Sequence, residues 1–100
     1  RVEIEKVSSD NPELISKILA KRGCNKVLWE CGPGLATAAI KSNCIQEIIT
    51  FIAPKILGGE NSMNPLSDFE FKEMHEIFKL TDSQLSLIGN DICVKSSFKD

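Results

Sequence analysis

The chain has 100 residues, 42% of them hydrophobic, with 12 basic and 14 acidic side chains and a net charge of −2. That length fits one domain or part of one, and the even mixing of charge excludes the basic stripe that nucleic acid or an anionic membrane surface requires. No apolar run approaches the roughly 20 residues of a membrane-spanning helix and no signal-peptide pattern opens the sequence, so a cytoplasmic protein without nucleic-acid or membrane partners is expected.

Arg1–Val7 alternates Val2, Ile4 and Val7 against Glu3, Glu5 and Lys6, the pattern of a half-buried strand. Asn11-Pro12-Glu13 then forms a strong helix start: a capping side chain, proline at the first helical position, and an acid at the positive end. Leu14, Ile15, Ile18 and Leu19 give this helix one apolar stripe, with Lys17, Lys21 and Arg22 on the solvated side, and Gly23 ends it. Lys26–Cys31 reads as a second strand and Pro33–Ser42 as a second helix, with Lys41 in its last turn and Asn43 as a left-handed stop. Ile45–Ala53 is apolar on both faces through Ile48, Ile49, Phe51 and Ile52, which predicts a central strand.

After Gly59 the character changes. Residues 60–68 (ENSMNPLSD) are a polar, turn-rich loop. From Phe69 the apolar positions recur with a period near two, through Phe71, Phe78, Leu80, Leu85, Leu87, Ile92 and Val94, and Gly89-Asn90-Asp91 reads as a hairpin turn. Two strand–helix–strand units predict an α/β fold, a mostly parallel sheet flanked by helices and closed by a C-terminal antiparallel β-hairpin.

The chemistry-bearing stretch is Lys26–Ile40, KVLWECGPGLATAAI. An apolar strand pattern ends at Glu30, Gly32 and Gly34 bracket Pro33, and an alanine-rich helix follows. The first N–H groups of a helix have no internal partner and its dipole favours an anion. Glycines there let a backbone approach a phosphate without an intervening Cβ. The pattern therefore suggests a phosphate-bearing ligand over the helix start with Glu30 beside it, at the carboxyl end of a strand. It is neither a Walker A loop, which needs Gly-Lys-Ser/Thr, nor the dinucleotide fingerprint, which needs a third glycine. On pattern alone a tight strand–helix turn without ligand fits equally well. Ile52–Gly59, IAPKILGG, offers a second close-approach backbone at Gly58-Gly59, and Lys55 either meets a phosphate or lies along apolar surface.

Other candidates read as structural. Cys24, Cys31, Cys44 and Cys93 form no C-x-x-C pair and the chain has a single histidine, His75, so buried free thiols in a reducing compartment are expected rather than a metal site. Asp68, Glu70 and Glu73 read as a solvated face, and Trp29 as a packing residue. The H-x-E and P-C-x-x-C signature of zinc deaminases is absent.

Glu30-Cys31-Gly32-Pro33-Gly34-Leu35-Ala36 and Ala53-Pro54-Lys55-Ile56-Leu57-Gly58-Gly59, in this order and at this separation, resemble the reductase domain of the bifunctional riboflavin-biosynthesis deaminase/reductase. A looser similarity runs from about Glu3 to Lys95. The resemblance implies a dihydrofolate-reductase-like fold and an NADPH-dependent reduction of 5-amino-6-(5-phosphoribosylamino)uracil, a phosphorylated small molecule whose ribosyl group becomes ribityl. Carried over by position, Glu30 is the substrate-contacting acid. Gly32, Pro33, Gly34, Leu35, Ala36, Thr37 and Ala38 hold the NADPH phosphates, with Gly58 and Gly59 also at the cofactor. Cys31 and Gly34 stand where the family often has other small residues or threonine, and neither change removes a backbone donor. No residue is an obvious proton donor, so the catalytic acid is left unassigned.

The family's reductase domain is roughly twice this long, so residues 1–100 are expected to be the C-terminal half of one domain, inactive alone. The expected partners are then an N-terminal half, an upstream deaminase domain, and a second copy in a homo-oligomer. The competing expectation is a non-catalytic structural or oligomer-forming α/β module.

Overall fold

A computed structural model describes residues 2–98. It falls into two compact units. One comprises the residues through Cys44 together with Pro65–Ser67; the other comprises Ile45–Asn64 and the residues from Asp68 onward.

The first unit is built on α1 (Pro12–Lys21) and α2 (Pro33–Lys41). The Asn11 side chain caps α1, its Oδ1 accepting from the N–H groups of Glu13 at 2.9 Å and Leu14 at 3.4 Å. Two of the orphan donors of the first turn are thereby satisfied. Both helices close in the same way. The Cys24 N–H returns to the Leu19 carbonyl (3.1 Å) and that of Gly23 to Ala20 (3.0 Å), with Gly23 at φ +86. In α2, Cys44 returns to Ala39 (3.0 Å) and Asn43 to Ile40 (3.1 Å), with Asn43 at φ +57. Each is a Schellman closure, which requires a left-handed residue just past the helix. The stops expected at Gly23 and Asn43 are thus both observed.

Packing is concentrated on α2, where Ala39 (0% exposed), Ile40 (7%) and Thr37 (5%) are buried, and Pro12 of α1 is buried as well. Thr37 Oγ1 accepts from the Ser67 N–H at 2.8 Å and so fastens Pro65–Ser67 to the helix. Arg22 carries ion pairs to Glu3 (3.8 Å) and Glu5 (3.1 Å), all three side chains well exposed. Such pairs contribute at most about 1 kcal/mol.

The second unit is a three-stranded sheet in the order β1 (Glu47–Ile52), β3 (Asp91–Phe98), β2 (Leu80–Ile88), antiparallel throughout. Its register pairs Glu47 with Ser97 and Ile52 with Ile92 on one side, and Leu80 with Phe98 and Ile88 with Asp91 on the other. Gly89-Asn90 makes the expected hairpin turn, with Gly89 at φ +60, the positive value a type II′ turn needs at its first central residue. A bulge between Thr81 and Gln84 places Asp82 at φ +53, and the Ser83 and Ser96 hydroxyls meet at 2.7 Å beside it. By register, Ile48, Ile52, Leu85, Leu87, Ile92 and Val94 share one face.

Three expectations need correction. The mostly parallel sheet is not observed: among the described residues every pairing is antiparallel, and the residue 45–53 strand is an edge, not a centre. Lys26–Cys31 has no ladder with any described residue, nor have residues 2–7 of the segment expected as Arg1–Val7; Arg1 itself lies outside the described residues. Leu28 is accordingly 78% exposed. Strand propensity is local but a strand exists only through its partner, so alternation alone could not place these segments in a sheet. Finally, residues 69–79 are not strand. Phe69, Phe71 and Phe78 pack on one another at 5.2–5.7 Å between centroids, and Phe78 packs on Phe98 at 6.1 Å. The short 3₁₀ turn Met74–Glu76 is closed by reciprocal Glu73 and Glu76 caps. The near-alternation of phenylalanines reflects this small aromatic cluster in a loop.

Candidate functional site

The start of α2 shares proline at the first helical position with α1 but differs from it in cap and in first-turn charge. Its N-cap is Gly32, at φ −74 and ψ 174, with no side-chain cap and no acidic residue in the first turn. Pro33 has no N–H to leave unpaired. The first intrahelical bond is Ala36 N–H to the Gly32 carbonyl at 3.1 Å, so among the described residues the N–H groups of Gly34 and Leu35 have no acceptor. In α1 the corresponding end is filled by Asn11 and Glu13. Among the described residues, the positive pole of α2 and the donors of its first turn are thus left without a side-chain partner.

The two glycines strengthen this reading. Neither Gly32 nor Gly34 has a positive φ, unlike Gly23, Gly58, Gly59 and Gly89, and a Cβ built on either meets nothing within 4 Å. Neither backbone conformation nor the chain's own packing therefore calls for glycine there. Glycine within a helix costs up to about 1 kcal/mol relative to alanine. A close-lying external group would make use of that bare backbone.

Glu30 precedes this turn by two residues, is exposed, and makes no ion pair among the described residues. Because Lys26–Cys31 is unpaired, its position at the mouth of a sheet is not observed. Of the remaining expected cofactor residues on α2, Leu35, Ala36 and Ala38 are half-buried and Thr37 turns inward to Ser67. Glu30 and Gly32–Ala38 therefore form one continuous stretch of the first unit. Gly58 (φ +70) and Gly59 (φ +99) belong to the second unit, in the loop after β1. There the Ser62 hydroxyl donates to the Gly58 and Gly59 carbonyls, a feature the sequence reading missed and for which the Gly-Gly-x-x-Ser spacing was the available signal.

The other candidates are simply placed. Lys55 is exposed, and its N–H closes a tight turn on the Ala53 carbonyl at 2.8 Å. His75 Nδ1 lies 3.1 Å from Glu73 Oε2, both exposed. All four thiols are free, but none is buried as expected: Cys24 and Cys31 are exposed and Cys44 and Cys93 half-buried. Among the described residues no group of three or more His, Cys, Asp or Glu side chains is placed to hold a metal ion, and no helix is long and apolar enough to cross a membrane.

Helices carried with an antiparallel sheet define the class as a small α/β protein, and its structure is similar to that of Acinetobacter baumannii RibD. Form 2 of that protein aligns with a TM-score of 0.69 and 25% identity, over 98% of this chain and 26% of that chain. The sequence pattern of the RibD C-terminal domain matches residues 4–94, and the chain belongs to that family. The chloroplastic riboflavin biosynthesis protein PYRR of Arabidopsis thaliana is 36% identical over 93 residues, covering 93% of this chain and 16% of the relative. The riboflavin biosynthesis protein RibD of Synechocystis is 39% identical over 80 residues, covering 80% and 22%. The chain thus spans less than a quarter of the length of either curated relative.

Proposed function

We propose that this chain is the C-terminal part of the reductase domain of a riboflavin-biosynthesis enzyme, with the dihydrofolate-reductase-like fold. The reaction is the NADPH-dependent reduction of the ribosyl group of 5-amino-6-(5-phosphoribosylamino)uracil to ribityl. The observation that carries the reading is the open N-terminus of α2: Gly34 and Leu35 N–H groups without an acceptor among the described residues, no acid in the first turn, and glycines at 32 and 34 that no described neighbour requires. A dinucleotide's phosphates fit such an end by charge and by donor geometry. Membership of the RibD C-terminal domain family supports the same chemistry.

In this reading Gly32, Pro33, Gly34, Leu35, Ala36, Thr37 and Ala38 supply the phosphate cradle. Its donors are the backbone amides of the first turn, while Thr37 holds the helix in place from behind. Gly58 and Gly59 add a second bare stretch of backbone. When bound, NADPH supplies the hydride that reduces the sugar carbon. Glu30 hydrogen-bonds the substrate and orients it. The N-terminal half of the domain and an upstream deaminase domain complete the polypeptide, a second copy completes a homo-oligomer, and the setting is a reducing one such as the cytoplasm, which four free thiols tolerate.

The test is an assay of the full-length polypeptide with NADPH and the aminouracil substrate, following loss of reduced nicotinamide and the mass of the product. Formation of the ribityl compound with stoichiometric NADPH oxidation is the expected result. Tight, well-folded protein that consumes no NADPH would replace this reading with a structural or oligomer-forming module.

A further inference from the structure

We propose that Ser62 is a positioning residue of this reductase site, acting through the Gly58-Gly59 turn. The inference rests on the reductase reading and adds to it a side chain outside both glycine motifs.

The Ser62 hydroxyl donates to the Gly58 carbonyl and lies 3.1 Å from the Gly59 carbonyl, so two successive carbonyls converge on one side chain. No described peptide bond is cis. In a trans peptide the C=O and the following N–H point in opposite directions. With the carbonyls of Gly58 and Gly59 turned toward Ser62, the N–H groups of Gly59 and Glu60 must both point away from it. Neither donates a hydrogen bond to any described residue. The result is a pair of adjacent amide donors on one side of the loop, held there by a hydroxyl on the other.

That arrangement depends on both glycines and on Ser62. Gly58 and Gly59 take φ +70 and +99, values that side chains disfavour, and a Cβ on Gly59 would come within 3.1 Å of the Ser62 oxygen. Without the hydroxyl, two glycines in sequence have more backbone freedom than any other pair, and the two amides would no longer be fixed in common direction. Preorganised donors bind an anion better than donors that must first be ordered. Ser62 therefore contributes to cofactor affinity without touching the cofactor.

The experiment compares wild type, Ser62→Ala and Ser62→Thr in the full-length polypeptide. For Ser62→Ala the KM for NADPH rises about tenfold, the worth of one lost hydrogen bond. Meanwhile kcat, the substrate KM and the thermal midpoint stay near wild type, and Ser62→Thr restores the NADPH KM. Unchanged NADPH KM in a wild-type-like Ser62→Ala overturns the inference while leaving the reductase reading intact, as does a loss spread equally over kcat, both KM values and the midpoint. A wild-type protein that neither binds nor oxidises NADPH overturns the reading and the inference with it. Should Ser62→Ala fail to fold, the wild-type amide NMR signals decide: those of Gly59 and Glu60 shift on adding NADPH if the inference holds, and stay put if it does not.

Discussion

Thr37 Oγ1 accepts the backbone N–H of Ser67 at 2.8 Å across 30 residues of sequence. Thr37 lies within the helical turn that we assign to phosphate binding, yet its side chain is buried and faces the fold. The division of labour on α2 is therefore between backbone donors at its end and side chains that anchor it. Thr37→Val removes the acceptor while keeping the shape, and should cost about 1 kcal/mol in urea unfolding. Amide exchange at Ser67 should accelerate, and Thr37→Ser should restore both. A Ser67 amide exchanging at the wild-type rate in Thr37→Val would show that this hydrogen bond does not hold Pro65–Ser67.

Asn43 occupies the left-handed position that Gly23 fills at the end of α1. The geometry of the two closures matches, but an asparagine pays a steric cost that glycine does not. Asn43→Gly should stabilise the protein by about 0.5 kcal/mol, and Gly23→Ala should destabilise it by about 1 kcal/mol. Denaturant midpoints measured on the two variants check the pair, and shifts of the same sign would contradict it.

These closures were legible in the sequence because they are local. Asn11-Pro12-Glu13, Gly23, Pro33 and Asn43 each act within one helical turn, and the Gly89-Asn90 turn fixes its hairpin within two residues. The sheet was not legible, because pairing is decided between distant segments. The apolar run at 45–53 has the composition of a central strand but lies at an edge, with β3 from the far end of the chain taking the centre. At the candidate site the glycine pattern was readable; the inward turn of Thr37 and the clasp of Ser62 depend on loops whose course no periodicity announces.

In the proposed site, Glu30 stands apart in chemistry from the turn that we assign to phosphate binding, if not in sequence. A carboxylate recognises hydrogen-bond donors on the substrate, and it would repel phosphate rather than bind it. Glu30→Gln should therefore raise the substrate KM by tenfold or more while leaving the NADPH dissociation constant within about twofold, since a hydrogen bond to a charged group is worth roughly 1.5–3 kcal/mol. Steady-state kinetics with each ligand varied separately would separate the two. An equal loss of both affinities would move Glu30 from substrate recognition to general support of the turn.

The central claim is that the bare N-terminus of α2 receives the cofactor phosphates. The most direct test is calorimetric titration of NADPH into the full-length polypeptide, repeated with Gly34→Ala and Gly32→Val. A Cβ at either position has no neighbour within 4 Å among the described residues beyond its local backbone, and the thermal midpoint of each variant, measured beside the titration, checks that it folds. The account predicts that wild type binds NADPH and that each substitution weakens binding at least tenfold by holding the phosphates off the backbone. Undiminished binding in two well-folded variants would contradict it.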